Sequence, residues 1–216
     1  MNSGSVSIFF SLKFRPERLR RFARAMGLNQ EVTVLDVGGA TFDWRLCETL
    51  LGFCPRVTIL NTEYPAAADA LPWVVASGME LPFPSQSFDV VYSNSVIEHL
   101  YNKENQQKFA SEIARVGKRY FVQTPNRWFP VEPHYLTPFV HYCSPRIQLK
   151  LLRNFTVWGL MGRPSPELCR RDVEEIRLLD EPQMRQLFPS AEIRHERFCG
   201  LTKSLIAVQA AESTGI

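Results

Sequence analysis

The chain has 216 residues, 45% hydrophobic and 22% charged, with a net charge of +3. This is the composition of one ordinary globular domain with a sizeable core, and the charge is too small to indicate a nucleic-acid partner. Five scattered cysteines with no CxxC pair argue against a disulfide framework or zinc site; no run reaches the ~18 apolar residues of a membrane span, and Ile8-Phe9-Phe10 is too short for a signal peptide, so a reduced, cytoplasmic protein is expected.

Pro16 and Glu17 suit the first turn of a helix on which Leu19, Phe22, Ala23 and Met26 share one face. Arg18, Arg20, Arg21 and Arg24 occupy the other positions and are expected to be solvated, an anionic ligand or membrane surface being the alternative. The helix is expected to cover the sheet or its ligand cleft. Val32, Val34, Leu35 and Val37 then read as a buried parallel strand. Asp36 lies near its end, Gly38-Gly39 allows a sharp turn, and Asp43 is placed to cap a helix carrying Leu46 and Leu50. A strand, glycine turn and helix N-terminus together form a cradle for a nucleotide-like ligand.

Further strands are expected at Arg56 to Leu60, Trp73 to Ala76, Phe88 to Tyr92 and Arg119 to Gln123, with a helix from Asn105 to Val116. The connection between the second and third strands is too short for a full crossover helix. From Pro125 to about Arg171, seven prolines alternate with Trp128, Phe129, Tyr135, Phe139, Tyr142 and Trp158. Such a segment reads as a packed insertion, helical around Ile147 to Leu152, that closes over the ligand edge of the sheet. A helix from Leu179 to Phe188 and a hairpin of Ala191 to Phe198 with Lys203 to Gln209, turning at Cys199-Gly200, complete the chain. The expected organisation is one domain over 1–216, with an N-terminal helical segment at 1–30 and a lid at 126–171.

Three segments resemble class I S-adenosylmethionine-dependent methyltransferases. VLDVGGATFD, from Val34 to Asp43, resembles the first motif of that family, VLDxGxGxG. LPFPSQSFDVVYSNSVIEHL, from Leu81 to Leu100, is similar to the segment around the fourth strand. PNRWFPVEPHYLTPFVH, from Pro125 to His141, is similar to a segment following strand five in a bacterial branch of small methyltransferases. The resemblance covers nearly the whole chain from Val32 onward. It implies a Rossmann-like, seven-stranded, mostly parallel sheet with an antiparallel last strand and helices on both faces. It also implies S-adenosyl-L-methionine as cofactor, S-adenosyl-L-homocysteine as product and a small-molecule acceptor methylated at oxygen or nitrogen. The motif departs from the pattern at Ala40 and Phe42, which replace the second and third glycines.

Carried over residue by residue, the resemblance places Asp36 near the cofactor ammonium and the Gly38 and Gly39 amides near its carboxylate. Asn61 stands in the register of the ribose-binding acid, with Glu63 two residues on, and both are candidates. Ser77, Gly78 and Met79 would hold the adenine, and Ser93, Asn94 and Ser95 would lie where the methyl group emerges. His99, beside Glu98, is a candidate proton acceptor, with His134 as the alternative; the competing reading is structural, with His99 packed beneath the cofactor loop and oriented by Glu98. Metal-dependent relatives carry ExxEH where this chain has Ser95 in place of the first glutamate, and no metal is assigned. Asn126, Arg127, Trp128, Glu132, His134 and Tyr135 are expected to shape the acceptor pocket. The rival readings are an NAD(P)-dependent oxidoreductase, disfavoured because no GxGxxG follows the first strand, and a cofactor-binding protein without turnover.

Overall fold

The computed structural model describes residues 3–65 and 70–210, with side chains from Phe14 onward. Its main sheet has the order β3-β2-β1-β4-β5-β9-β8. The strands are β1 (Thr33–Val37), β2 (Arg56–Asn61), β3 (Trp73–Val75), β4 (Val90–Asn94), β5 (Tyr120–Pro125), β8 (Glu192–Phe198) and β9 (Leu201–Gln209). β1 to β5 pair in parallel, while β9 runs antiparallel to both β5 and β8. This is the class I methyltransferase architecture, with the reversal of strand order falling between β1 and β4.

The strands are apolar throughout because both faces are covered. Leu35, Val37, Val91 and Val122 point to one side, against α3 (Lys103–Val116) and α7 (Glu181–Leu187). Val34, Val90, Tyr92 and Phe121 point to the other, against α1 (Ser3–Met26) and α2 (Thr41–Leu51). The period of two along each strand deals residues alternately into the two cores. Leu19, Phe22 and Met26 of α1 are buried, as the spacing predicts. At the end of the sheet, Cys199 and Gly200 both have positive φ (49° and 79°), which suits the two-residue connection of the β8–β9 hairpin.

Several expectations are corrected. α1 starts at Ser3, so Pro16 lies inside it rather than in its first turn; a proline satisfies a helical φ wherever the preceding chain already sustains the helix, at the cost of one hydrogen bond. α2 is capped by the extended Ala40 without a side-chain bond, and Asp43 is the third helical residue. There its charge favours the helix N-terminus and pairs with Arg15 at 2.6 Å. The fourth strand begins at Val90, with Phe88 making only an isolated bridge to Gly117. Arg18 is not solvated but 4% exposed.

The proline-rich segment forms a small hairpin of β6 (Val131–Glu132) and β7 (Thr137–Pro138), followed by α4 (Pro145–Phe155), α5 (Val157–Gly162) and α6 (Pro166–Glu175). Pro145 and Pro166 open helices here rather than breaking them. Tyr135, Val140, Leu152, Trp158, Cys169 and Val173 make a separate core for the segment. Its two ends meet where Asn126 bridges Leu179.

Candidate active site

Gly38 has φ +76°, and a Cβ there would meet the Val96 side chain at 2.5 Å; at Gly39 a Cβ would fall inside the Asp36 carboxylate. The turn after β1 therefore requires both glycines. Gly38 N–H donates to the Leu60 carbonyl at 2.7 Å, tying β1 to β2. Asp36 has no exposed surface and accepts from Trp44 Nε1 at 2.7 Å, its other oxygen having no partner. Burial, with Asp43 adding repulsion, pushes its carboxyl up to about 8 against the pull of the Trp44 bond and Arg15. Asp36 thus braces the loop from beneath.

Beyond the turn a cleft of about 450 Å³ opens at the carboxyl edge of β1, β2 and β4, large enough for a nucleotide-sized ligand. Gly38, Asn61, Ser77, Gly78, Met79 and His99 all line it, whereas Asp36 and Gly39 do not. Asn61 donates to the Gly39 carbonyl at 3.1 Å and so joins the two loops. Glu63 is exposed and does not line the cleft; its backbone carbonyl accepts from Trp73 Nε1 at 3.0 Å. Ser93 is buried and donates to the Val37 carbonyl at 3.0 Å, while Asn94 accepts from Arg18 at 2.5 Å; neither lines the cleft. Phe42 is 48% exposed with the Arg15 guanidinium 5.7 Å from its ring centroid, so it leaves the cleft open.

At one end of the cleft stands a chain of acid–imidazole pairs. His99 Nδ1 bonds Glu175 at 3.0 Å, His99 Nε2 meets His134 Nε2 at 3.2 Å, and His134 Nδ1 bonds Glu132 at 2.6 Å. Burial alone would depress the His134 imidazole, but Glu132 against it, with Glu98 and Asp172 nearby, holds it up at about 9. As an imidazolium, His134 donates from both nitrogens, which leaves His99 Nε2 as the acceptor between them. Glu175 in turn is lowered by its bond to His99. Glu98 is buried, accepts from Thr124 at 3.0 Å with one oxygen, and has no partner for the other. Glu98, His99 and His134 present one potential ligand atom each within 4.8 Å of one another.

A second cavity, about 60 Å³, lies on the far side of this chain between β5, β9 and the lid. Arg18, Ser95, Gln123, Phe129, His134 and Lys203 are among its walls. Ser95 borders both spaces. Of the residues expected to shape the acceptor pocket, His134 alone lines this cavity. Arg127, Glu132 and Tyr135 line a separate lid pocket of about 220 Å³. Asn126 is spent on the Thr202 carbonyl and the Trp128 amide, and Trp128 is 63% exposed. Arg18, Lys203 and Glu175 were not among the site residues assigned from the sequence. Ser95 carried a local signal, within the strand-four motif.

Residues 36–120 match the methyltransferase domain family. Comparison with curated proteins yields no match. Among solved structures, a S-adenosylmethionine-dependent methyltransferase from Archaeoglobus fulgidus superposes with a TM-score of 0.57 at 13% identity, over 94% of this chain and 99% of that one. Magnesium protoporphyrin IX methyltransferase from Synechocystis PCC 6803, with S-adenosylhomocysteine bound, gives 0.55 at 14% identity over 97% and 88%. A protein described as a putative Zn-dependent alcohol dehydrogenase from Rhodobacter sphaeroides gives 0.54 at 13% over 84% of each chain. Superposition at such identities shows the fold alone; the match over 36–120 separates methyl transfer from hydride transfer. Residues 36–120 are a methyltransferase domain by that match, and the sheet they help to build has the class I fold.

Proposed function

We propose that the protein transfers the methyl group of S-adenosylmethionine to an oxygen or nitrogen of a small polar acceptor, with His99 taking the proton. The observation that carries this reading is the position of Ser95 and the His99–His134 pair between the 450 Å³ cleft and the cavity beneath the lid. With the cofactor in the cleft, the acceptor atom attacks the methyl carbon as the bond to sulfur breaks, leaving S-adenosylhomocysteine. With His134 displaced from His99 Nε2, that nitrogen takes the acceptor proton, and Glu175 on Nδ1 stabilises the imidazolium that forms. Alignment in a water-poor site supplies the rest. No helix among the described residues is long and apolar enough to cross a membrane.

A second reading is favoured by the unpartnered oxygen of Glu98 beside two facing imidazoles, each backed by a carboxylate. Two imidazoles and one carboxylate suit a transition-metal ion better than magnesium, and would polarise the acceptor oxygen. Ser95 would not join them, because its hydroxyl is engaged with Gln123 at 2.9 Å.

One experiment separates these readings. S-adenosylhomocysteine should bind in calorimetry and NAD should not; binding of NAD alone would overturn methyl transfer. His99→Ala should lower turnover by ~10²–10⁴-fold with cofactor affinity nearly unchanged. Loss of activity on adding EDTA, restored by a divalent ion, would replace the proton-transfer role by the metal reading. Turnover surviving both treatments would leave neither.

A further inference from the structure

We infer that the outer face of α4 and α5 docks on an anionic lipid bilayer. α5 turns Trp158 and Gly159 inward and presents Val157, Leu160 and Met161 on one face, at 40%, 64% and 62% exposure. Phe155, immediately before it, is 70% exposed. α1 runs against α5 and still leaves these side chains uncovered. Four large apolar groups within seven residues of chain make an uncommon surface for a water-facing helix pair.

Charge identifies the occupant. α4 packs Leu149 and Leu152 into the lid core and turns Arg146, Lys150 and Arg153 outward, while Arg163 is exposed just after α5. Among the described residues none of these four cations is in a salt bridge, Arg153 acting on Glu167 only at longer range. From 133 to 166 the chain contains no aspartate or glutamate. An apolar centre flanked by cations in excess over the nearby Glu167 is the pattern of an interfacial surface. The apolar groups enter the acyl boundary while the basic side chains reach anionic headgroups.

Docking in this way would set the lid, and the cavity beneath it, at the membrane surface. The full chain should co-sediment with vesicles of phosphatidylcholine and phosphatidylglycerol, weakly with phosphatidylcholine alone, and less at high salt. Leu160→Asp/Met161→Asp and, separately, Lys150→Glu/Arg153→Glu should each reduce partitioning about tenfold or more. Both variants should keep the wild-type affinity for S-adenosylhomocysteine, which serves as the folding control. Binding indifferent to anionic lipid, or to both pairs of substitutions, would overturn the inference. So would a dimer in sedimentation velocity that Leu160→Asp/Met161→Asp dissolves, since a second copy would then cover the face. Because vesicle binding needs neither turnover nor acceptor, it can fail while the methyltransferase reading stands, and the converse.

Discussion

Asp36 has a folded-state carboxyl pushed up to about 8 against an ordinary value of 3.8. The sign of the consequence follows from linkage. Between those two values the unfolded chain has released a proton that the folded one still holds, so stability falls as pH rises through that window and levels off above it. Asparagine keeps an acceptor for the Trp44 indole and has nothing to titrate. Asp36→Asn should therefore show a flatter melting temperature from about pH 4 to 8 than the parent, read by scanning calorimetry. Parallel curves would mean that Asp36 is not the group responsible. The same residue shows how a functional motif works through packing: its carboxylate lies directly under Gly39, where any Cβ would collide with it.

At the scale of elements, α1 is held to the sheet by charge as well as by its apolar stripe. Arg18 donates to Glu196 through two nitrogens, at 3.1 and 2.6 Å, and also to Asn94 and Gln123 at the ends of β4 and β5. Lys203 reaches the same Glu196 at 2.7 Å. Burial would raise the Glu196 carboxyl, but Arg18 and then Lys203 outweigh it and hold it at about 2. Its folded value lies below its ordinary 4.5, so this contribution is whole above about pH 4.5 and is lost as pH falls towards 2. Removing Arg18 strips two of the three donors from the buried Glu196 carboxylate but leaves Lys203 to balance it, whereas removing Glu196 leaves two buried cations uncompensated. Arg18→Met should cost roughly 1–3 kcal/mol in urea unfolding, and Glu196→Gln should lose its larger deficit relative to wild type as pH falls through that range. A cost under 1 kcal/mol for Arg18→Met would mean that the apolar stripe alone holds the helix.

Across the whole molecule, two bodies are distinguishable. The sheet is packed on both faces, whereas the lid has its own core of Tyr135, Leu152, Trp158 and their neighbours. The ends of the lid meet at the Asn126–Leu179 bridge, and Glu175 and His134 tie it to His99, so on the proposed function its opening breaks those bonds. The cavity beneath it, about 60 Å³, holds roughly two waters. On the proposed function, an acceptor larger than that enters only when the lid opens. Hydrogen exchange should be faster in α4 to α6 than in β1, β4 and β5. Cofactor product plus acceptor should slow the lid amides while leaving the strands unchanged. Protection of the lid equal to that of the sheet in the free protein would contradict a moving lid.

Local patterns were sufficient for much of this architecture. Apolar runs in β1, β2, β4 and β5 announce strands covered on both sides, and Gly38-Gly39 announces a turn without a Cβ. The terminal hairpin follows from short spacings along the chain, and the placement of Asn61, Ser77 and Met79 by the cleft from the resemblance to the methyltransferase family. Hydrophobic period and turn chemistry act over a few residues, so one sequence carries them. Arg18 shows the limit. Its helical position reads as solvated, and only the arrival of β8, 178 residues away, supplies the carboxylate that makes burial favourable. Glu175 is equally remote, 76 residues from the His99 it orients. Asn126 and Trp128 carry acceptor-like chemistry, yet one is consumed by backbone contacts and the other faces solvent. Which polar groups meet is decided by where distant elements pack, because a hydrogen bond or ion pair requires contact within about 3 Å, and no local period encodes that.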